Sequence, residues 1–201
     1  MRIVPQSIEF LRMTTNPEFL CEIAGRTAHK SESQGNPERF IEKIVHTLGQ
    51  ESVIEHASAT YNIICDRGIS HEIVRHRLVS YTQESTRYCN YSKDKFSNEI
   101  TVIEPPGLGA ARIHWHNACI EAETSYFDLL DADCPPQIAR SVLPTCLKTE
   151  LVMTCNFREW RHFIKLRTDK KAHPKIQEIA GGIRDDLYSR APVFFKDLLN
   201  D

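Results

Sequence analysis

Apolar residues recur along this chain with two periods, and the change from one to the other divides it into helices and strands. Phe40, Ile41, Ile44, Val45 and Leu48 fall at helical spacing and stop at Gly49. Asn36-Pro37-Glu38 stands before them: an N-cap Asn, a Pro at the first helical position and an early acid. Asn16-Pro17-Glu18 repeats that start signal upstream. Residues 57–65 read as a strand ended by Asp66-Arg67-Gly68, after which Ser70 is expected to cap a short helix to about residue 77. Residues 78–98 are polar, irregular and too long for an idle turn. Ile100 to Glu104 reads as a short strand closed by Pro105-Pro106-Gly107, residues 109–130 as a long helix, and a further helix starts at Pro136 and ends before Pro144. Residues 146–155 alternate as a strand. Asn156 then caps a helix with Phe157, Trp160, Phe163 and Ile164 on its apolar side. The last helix begins at Pro174 and carries Ile176, Ile179, Ala180, Ile183 and Leu187 on one face. No repeat, low-complexity tract or composition break appears, so one mixed α/β domain over residues 1–201 is expected.

Composition narrows the function. A formal net charge of −2 argues against a sequence-independent grip on nucleic acid, which needs a basic excess. No apolar run approaches the ~20 residues of a membrane span, and the first residues lack a signal-peptide pattern. A cytoplasmic protein with neither membrane nor nucleic acid as partner is the expectation. Seven cysteines are scattered with no C-x-x-C pair, which predicts reduced thiols packed as small hydrophobes.

Three motif-like strings carry little. His71-Glu72-Ile73-Val74-Arg75-His76 resembles a zinc-protease helix, but its histidines are five apart, about 140° around a helix, so one metal cannot take both. His114-Trp115-His116 would converge only on a strand, and it lies in a helical stretch. Gly107-Leu108-Gly109 lacks the third Gly and the parallel βαβ unit of a dinucleotide loop. No metal is expected.

The densest chemistry is Arg75-His76-Arg77 followed by Glu84-Ser85-Thr86-Arg87. Arginine forks bind phosphate bidentately and stay charged at any working pH. His76 can donate to a phosphate or stack on a ring, and Glu84 can accept from ribose hydroxyls or ring N–H groups. Such a set suits a nucleotide.

Arg-His-Arg, seven residues, then Ser-x-Arg resembles the signature of the flavin-dependent thymidylate synthases. Three further segments are similar to that family in the same order: Glu51-Ser52-Val53-Ile54-Glu55-His56; Ala139-Arg140-Ser141-Val142-Leu143-Pro144; and Asn156-Phe157-Arg158 with His162 and Leu166-Arg167. The resemblance implies a small antiparallel sheet flanked by helices, in a homotetramer with active sites at subunit interfaces. It implies that Arg75, His76, Arg77, Glu84, Asn156, Arg158 and His162 help bind FAD, joined by His56 and Ser58 from a neighbouring subunit. It further implies dUMP held by Glu72, Arg75, Glu84, Ser85, Thr86, Arg87 and Arg140, with Arg167 against the uracil as the catalytic cation. Methylenetetrahydrofolate would be the carbon donor and NADPH the reductant of FAD. Glu72 stands where many members have Gln, and Ala28 falls near a position where others carry Ser.

Two other readings compete. A non-catalytic nucleotide- or RNA-binding module would use the same arginines without flavin. A flavin- and folate-dependent RNA uracil methyltransferase would need a wider basic surface than this composition offers.

Overall fold

The computed structural model describes residues 1–199. Two strands absent from the sequence reading open the chain, β1 (Arg2–Ile3) and β2 (Ser7–Met13). Helix α1 (Pro17–His29) starts at its proline as expected, but Asn16 adopts the left-handed region (φ 49°) and its side chain makes no capping bond. Helix α2 (Pro37–Ile41) is capped as expected, Asn36 Oδ1 accepting from the Arg39 N–H at 2.9 Å. It runs on as a π-helical turn over Glu42–Thr47, and Leu48, expected on the inward face, is 51% exposed.

Strand β3 (Ser58–Asp66) leads into α3 (Arg67–Ile73), which begins before Ser70. The reason is local. Asp66 Oδ1 accepts from the Ile69 N–H at 2.8 Å, so the strand's last residue is already the cap. Arg75, His76 and Arg77 therefore lie beyond the helix. After β4 (Ser80–Gln83) and β5 (Thr101–Val102) come α4 (Arg112–Asp131) and the short α5 (Pro136–Ala139). Strand β6 (Lys148–Asn156) passes straight into α6 (Phe157–Arg167), where Asn156 Oδ1 accepts from the Glu159 N–H at 2.9 Å. The chain closes through α7 (Pro174–Arg190) and α8 (Pro192–Phe195).

The main sheet has the order β2-β3-β6-β4, and β1 pairs separately with β5 in parallel. The two long strands are antiparallel. Phe157 N–H donates to Ala57 O at 2.8 Å and Arg67 N–H to Leu147 O at 3.0 Å, so residue number rises on one strand as it falls on the other. This is the mixed α/β architecture with a small antiparallel sheet that the sequence implied.

The chain forms two compact units, interleaved in sequence: Met1–Ser7, Ile63–Arg75 and Thr82–Leu151 in the first, and Ile8–Asn62, His76–Tyr81 and the chain from Val152 onward in the second. The first is built on Tyr91, Ile100, Val102, Tyr126, Ala139 and Leu147. The second buries Tyr61, Phe157, Trp160, Phe163, Phe194 and Phe195. Each fully buried large apolar side chain among these, such as Phe157 or Ile100, contributes about 1.5–3 kcal/mol by leaving water. Trp160 packs edge-on to Tyr61 at 5.3 Å between centroids, and its indole N–H finds the Ala59 carbonyl at 3.1 Å. Arg161, 2% exposed, is a buried cation made tolerable by its partners. It donates to both oxygens of Asp197 at 2.7 Å, to Glu51 at 3.0 Å and to the Phe194 carbonyl.

All seven cysteines are free thiols. Burial pushes Cys21 and Cys119 up to about 12 and also raises Cys155. None of these three is a ready thiolate at neutral pH. Among the described residues, no helix is long and apolar enough to cross a membrane.

Candidate functional site

In the first unit, the segment after β4 turns tightly on Ser85, whose carbonyl accepts from the Tyr88 and Cys89 N–H groups at 3.0 and 2.9 Å. Ser85 Oγ accepts from the Arg87 N–H at 3.3 Å. Thr86 is buried beneath this turn, and Arg140 Nη1 donates to its Oγ1 at 3.1 Å. The structure thus brings Ser85, Thr86, Arg87 and Arg140 into one neighbourhood, with Arg87 and Arg140 exposed. Arg140 belongs to the 3-10 turn following α5, so a Pro-started helix delivers it.

Glu84 has a different environment from the one its sequence context suggested. Its Oε2 accepts from Lys148 Nζ at 3.0 Å and its Oε1 from the Tyr91 hydroxyl at 3.0 Å. Burial works against the Lys148 ammonium, but Glu84 and Glu150 outweigh it and raise its pKa. Tyr91 is raised by burial and by Glu84, so it remains a neutral donor. Glu72 lies on α3 and is half-buried, whereas Arg75 is exposed just after that helix.

The second unit gathers the other half of the candidate residues around α6. His76 is 4% exposed and lies along that helix. Its Nδ1 is 3.2 Å from Glu159 Oε1 in the first turn, and its Nε2 accepts from Arg167 Nε at 3.1 Å in the last. Between these contacts it meets His162 and Phe163 edge-on, at 5.5 and 5.0 Å between centroids. Glu159, His162, Phe163 and Arg167 follow the i, i+3, i+4, i+8 spacing of one helix face. The Tyr81 hydroxyl donates to the His76 carbonyl at 3.0 Å. Burial lowers the His76 pKa, with Arg167 and His162 adding to the effect against the pull of Glu159. Burial thus favours the neutral ring, and the Arg167 Nε–H directed at Nε2 calls for an acceptor there.

A cleft of about 700 Å³ opens beside the same helix, lined by Glu51, Glu55, Leu78, Asn156, Arg158, Glu159, Arg161, His162 and Lys165. Three of the residues expected to hold flavin, Asn156, Arg158 and His162, share this wall. Arg158 donates to Glu55 at 2.5 Å and Arg161 to Glu51, so two of the three acids in the lining face cations, while the third, Glu159, meets His76. With Lys165 and His162 as further donors and exposed Leu78 as apolar surface, the lining fits a ligand that carries phosphates and a flat ring, as FAD does. Arg77 is exposed. His56 and Ser58 flank the start of β3, where Ser58 pairs with Thr14 through its N–H at 3.0 Å and its hydroxyl at 3.3 Å.

Ligand atoms of His76, Glu159 and His162 lie within 4.8 Å of one another, a spacing compatible with a metal ion. The Arg167 guanidinium donates to His76 Nε2 and puts a fixed positive charge on this cluster. That charge opposes a second cation.

Sequence reasoning missed Glu159, Lys148 and Tyr91. Glu159 had a signal: an acid at the third position of an Asn-capped helix is a common capping residue, so its side chain was due a named partner.

Each unit, on its own, carries cationic side chains of a kind that suits an anionic small ligand: Arg87 and Arg140 in the first, Arg158 and Lys165 in the second. The chain belongs to the thymidylate synthase complementing protein (Thy1) family, whose model matches residues 9–193. It is 33% identical to the flavin-dependent thymidylate synthase of Mycobacteroides abscessus over 216 residues, 97% of this chain and 85% of that protein. It is also 33% identical to the protein of the same name from Geobacter sulfurreducens, covering 94% of this chain and 85% of the relative. The flavin-dependent thymidylate synthase of Mycobacterium sp. (strain JLS) is 34% identical over 222 residues.

Proposed function

We propose that this chain is a flavin-dependent thymidylate synthase that converts dUMP to dTMP, with methylenetetrahydrofolate as carbon donor and FAD reduced by NADPH. The observation that carries the reading is the convergence on one face of α6: His76 of the Arg-His-Arg motif holds Arg167 of the Asn-x-Arg…Leu-Arg helix through a 3.1 Å hydrogen bond. Two motifs far apart in sequence thus meet on one helix face, which supports the reading.

Uracil C5 is a poor nucleophile until negative charge builds on the ring. A conventional route adds a cysteine thiolate to C6, but no Pro-Cys-His occurs here, and burial raises Cys21, Cys119 and Cys155. Arg167 instead is a permanent cation that offsets charge developing at N3 and the neighbouring carbonyl. FAD reduced by NADPH would supply the hydride when bound there, a redox step that side chains cannot perform. Arg87, Arg140 and Ser85 hold the phosphate of dUMP, with Glu72, Arg75, Glu84 and Thr86 around the nucleoside. Asn156, Arg158 and His162, with Arg75, His76, Arg77 and Glu84, hold the flavin. Ser85 acts as a ligand, because its hydroxyl caps its own turn and no base stands against it among the hydrogen bonds of that segment.

The functional form is a cytoplasmic homotetramer in which His56 and Ser58 reach the flavin of a neighbouring subunit, and residues 1–201 act as one catalytic domain. Exposed Phe19, Ile23, Leu78, Tyr88 and Ile113 supply apolar surface suited to burial between copies.

The deciding experiment is the visible spectrum of the protein with FAD under anaerobic conditions. Bleaching by NADPH in the presence of dUMP, reoxidation on adding methylenetetrahydrofolate and appearance of dTMP are the expected results. Failure to bind FAD at any concentration would overturn the reading.

A further inference from the structure

The arginine at the end of α6 is held from the far end of the same helix. Arg167 Nε has one proton, and it points at His76 Nε2, so that nitrogen must carry a lone pair. The remaining ring nitrogen, Nδ1, must then carry the proton, and it faces Glu159 Oε1 at 3.2 Å. Glu159 is itself buried and fixed: it sits in the first turn of α6, its own N–H is bound by the Asn156 cap, and the helix N-terminus favours a carboxylate there. Phe163 and His162 pack edge-on against the imidazole, which limits rotation of the ring.

We propose that Glu159 is a positioning residue: by accepting from Nδ1–H it holds His76 in the tautomer whose Nε2 anchors Arg167, and so sets the direction of the guanidinium at the pyrimidine. The role at the pyrimidine rests on the functional reading above; the tautomer and the anchoring do not. A His76 proton at Nε2 would oppose two N–H groups and release Arg167. The charged and titratable groups facing His76 are Glu159, His162 and Arg167 from α6, and Tyr81 on β4 through its hydroxyl.

The test uses the intact protein labelled with 15N. The His76 signal is identified by its loss in His76→Gln and the Arg167 Nε–H by its loss in Arg167→Lys. Wild type is expected to show His76 protonated at Nδ1 and a slowly exchanging Arg167 Nε–H. Glu159→Leu removes the acceptor and should speed that exchange roughly tenfold or more, the scale of one hydrogen bond to a charged group. Glu159→Gln keeps a neutral oxygen acceptor and should restore part of the protection. In dTMP assays Glu159→Leu should lower kcat with little change in the KM for dUMP, again with partial rescue by Glu159→Gln.

His76 protonated at Nε2 in wild type would overturn the proposal whether or not any variant folds. Unchanged Arg167 protection in Glu159→Leu would overturn it too, as would stoichiometric Zn²⁺ shifting the His76 and His162 signals together. If the spectroscopic results hold while Arg167→Ala still makes dTMP, the role of Arg167 at the pyrimidine fails and the anchoring stands. If wild type binds no FAD and makes no dTMP, the functional reading fails and the anchoring again stands.

Discussion

Arg140 Nη1 donates to the buried hydroxyl of Thr86 at 3.1 Å, so a guanidinium from the turn after α5 is aimed by a side chain beneath the Ser85 turn. A phosphate group bound by Arg140 would meet a fork already oriented. Thr86→Val keeps the shape and removes the acceptor. It should raise the KM for dUMP roughly tenfold and leave kcat nearly unchanged, whereas Arg140→Ala should raise KM further, on the scale of a lost charge-assisted hydrogen bond. Steady-state kinetics over a wide range of dUMP concentration separates the two parameters.

Arg167→Ala should abolish dTMP formation while flavin binding, read from the visible spectrum, persists. The side chain acts on charge that exists only during the reaction. Wild-type turnover by this variant would remove Arg167 from the mechanism.

Acid should weaken the fold through His76. Its folded pKa lies below the ordinary value near 6.5, chiefly because it is buried, so the unfolded chain takes up the proton first as pH falls. The stability tied to the neutral ring is complete above about 6.5 and is lost as pH drops toward the folded pKa, at no more than ~1.4 kcal/mol per pH unit for one proton. Urea midpoints measured from pH 7.5 down to 5 should show this decline, and His76→Gln should flatten that part of it.

Arg161→Leu leaves Asp197 and Glu51 without their buried cation and strands the Phe194 carbonyl. Breaking one side of such a cluster costs roughly 3–5 kcal/mol. Chemical denaturation should read that loss, and a change below about 1 kcal/mol would show the cluster to be only a surface ion pair.

Tyr61 is fully buried, and its hydroxyl donates to Asp186 Oδ2 at 2.6 Å. Tyr61→Phe keeps the edge contacts with Phe10 and Trp160 and removes only that bond. A loss of about 1–3 kcal/mol is expected, measured by thermal melting. Asp186 retains Arg190 as a partner at 2.8 Å, which keeps the cost toward the lower end.

Helix starts were legible wherever the signal is a side chain competing for the first-turn N–H groups. Asn36 and Asn156 cap as their positions suggest. Asp66 was read as part of a turn because nothing local says that a strand will hand its last residue directly to a helix. Strand β5 falls inside the expected strand at residues 100–104, but its partner β1 is two residues long and exists by that pairing, which no local pattern carries. The two units interleave several segments and leave no composition boundary for the same reason. At the site, the arginines and His76 were legible as an ordered string. Their partners were not: Lys148 looked like an ordinary strand residue and Glu159 like an ordinary first-turn acid, and only the fold brings them to Glu84 and His76.

Asp66 and Asn156 each end a long strand and cap the next helix with no residue between. A surface loop absorbs an extra residue by bulging outward, but these junctions have no slack to bulge. One residue inserted between Cys155 and Asn156 could be taken up only by pushing β6 out of register or by turning α6 about 100° on its axis. The second outcome would swing Glu159, His162 and Arg167 away from His76 together. The junction works like a keyed shaft: it transmits the rotational setting of the sheet to every side chain downstream.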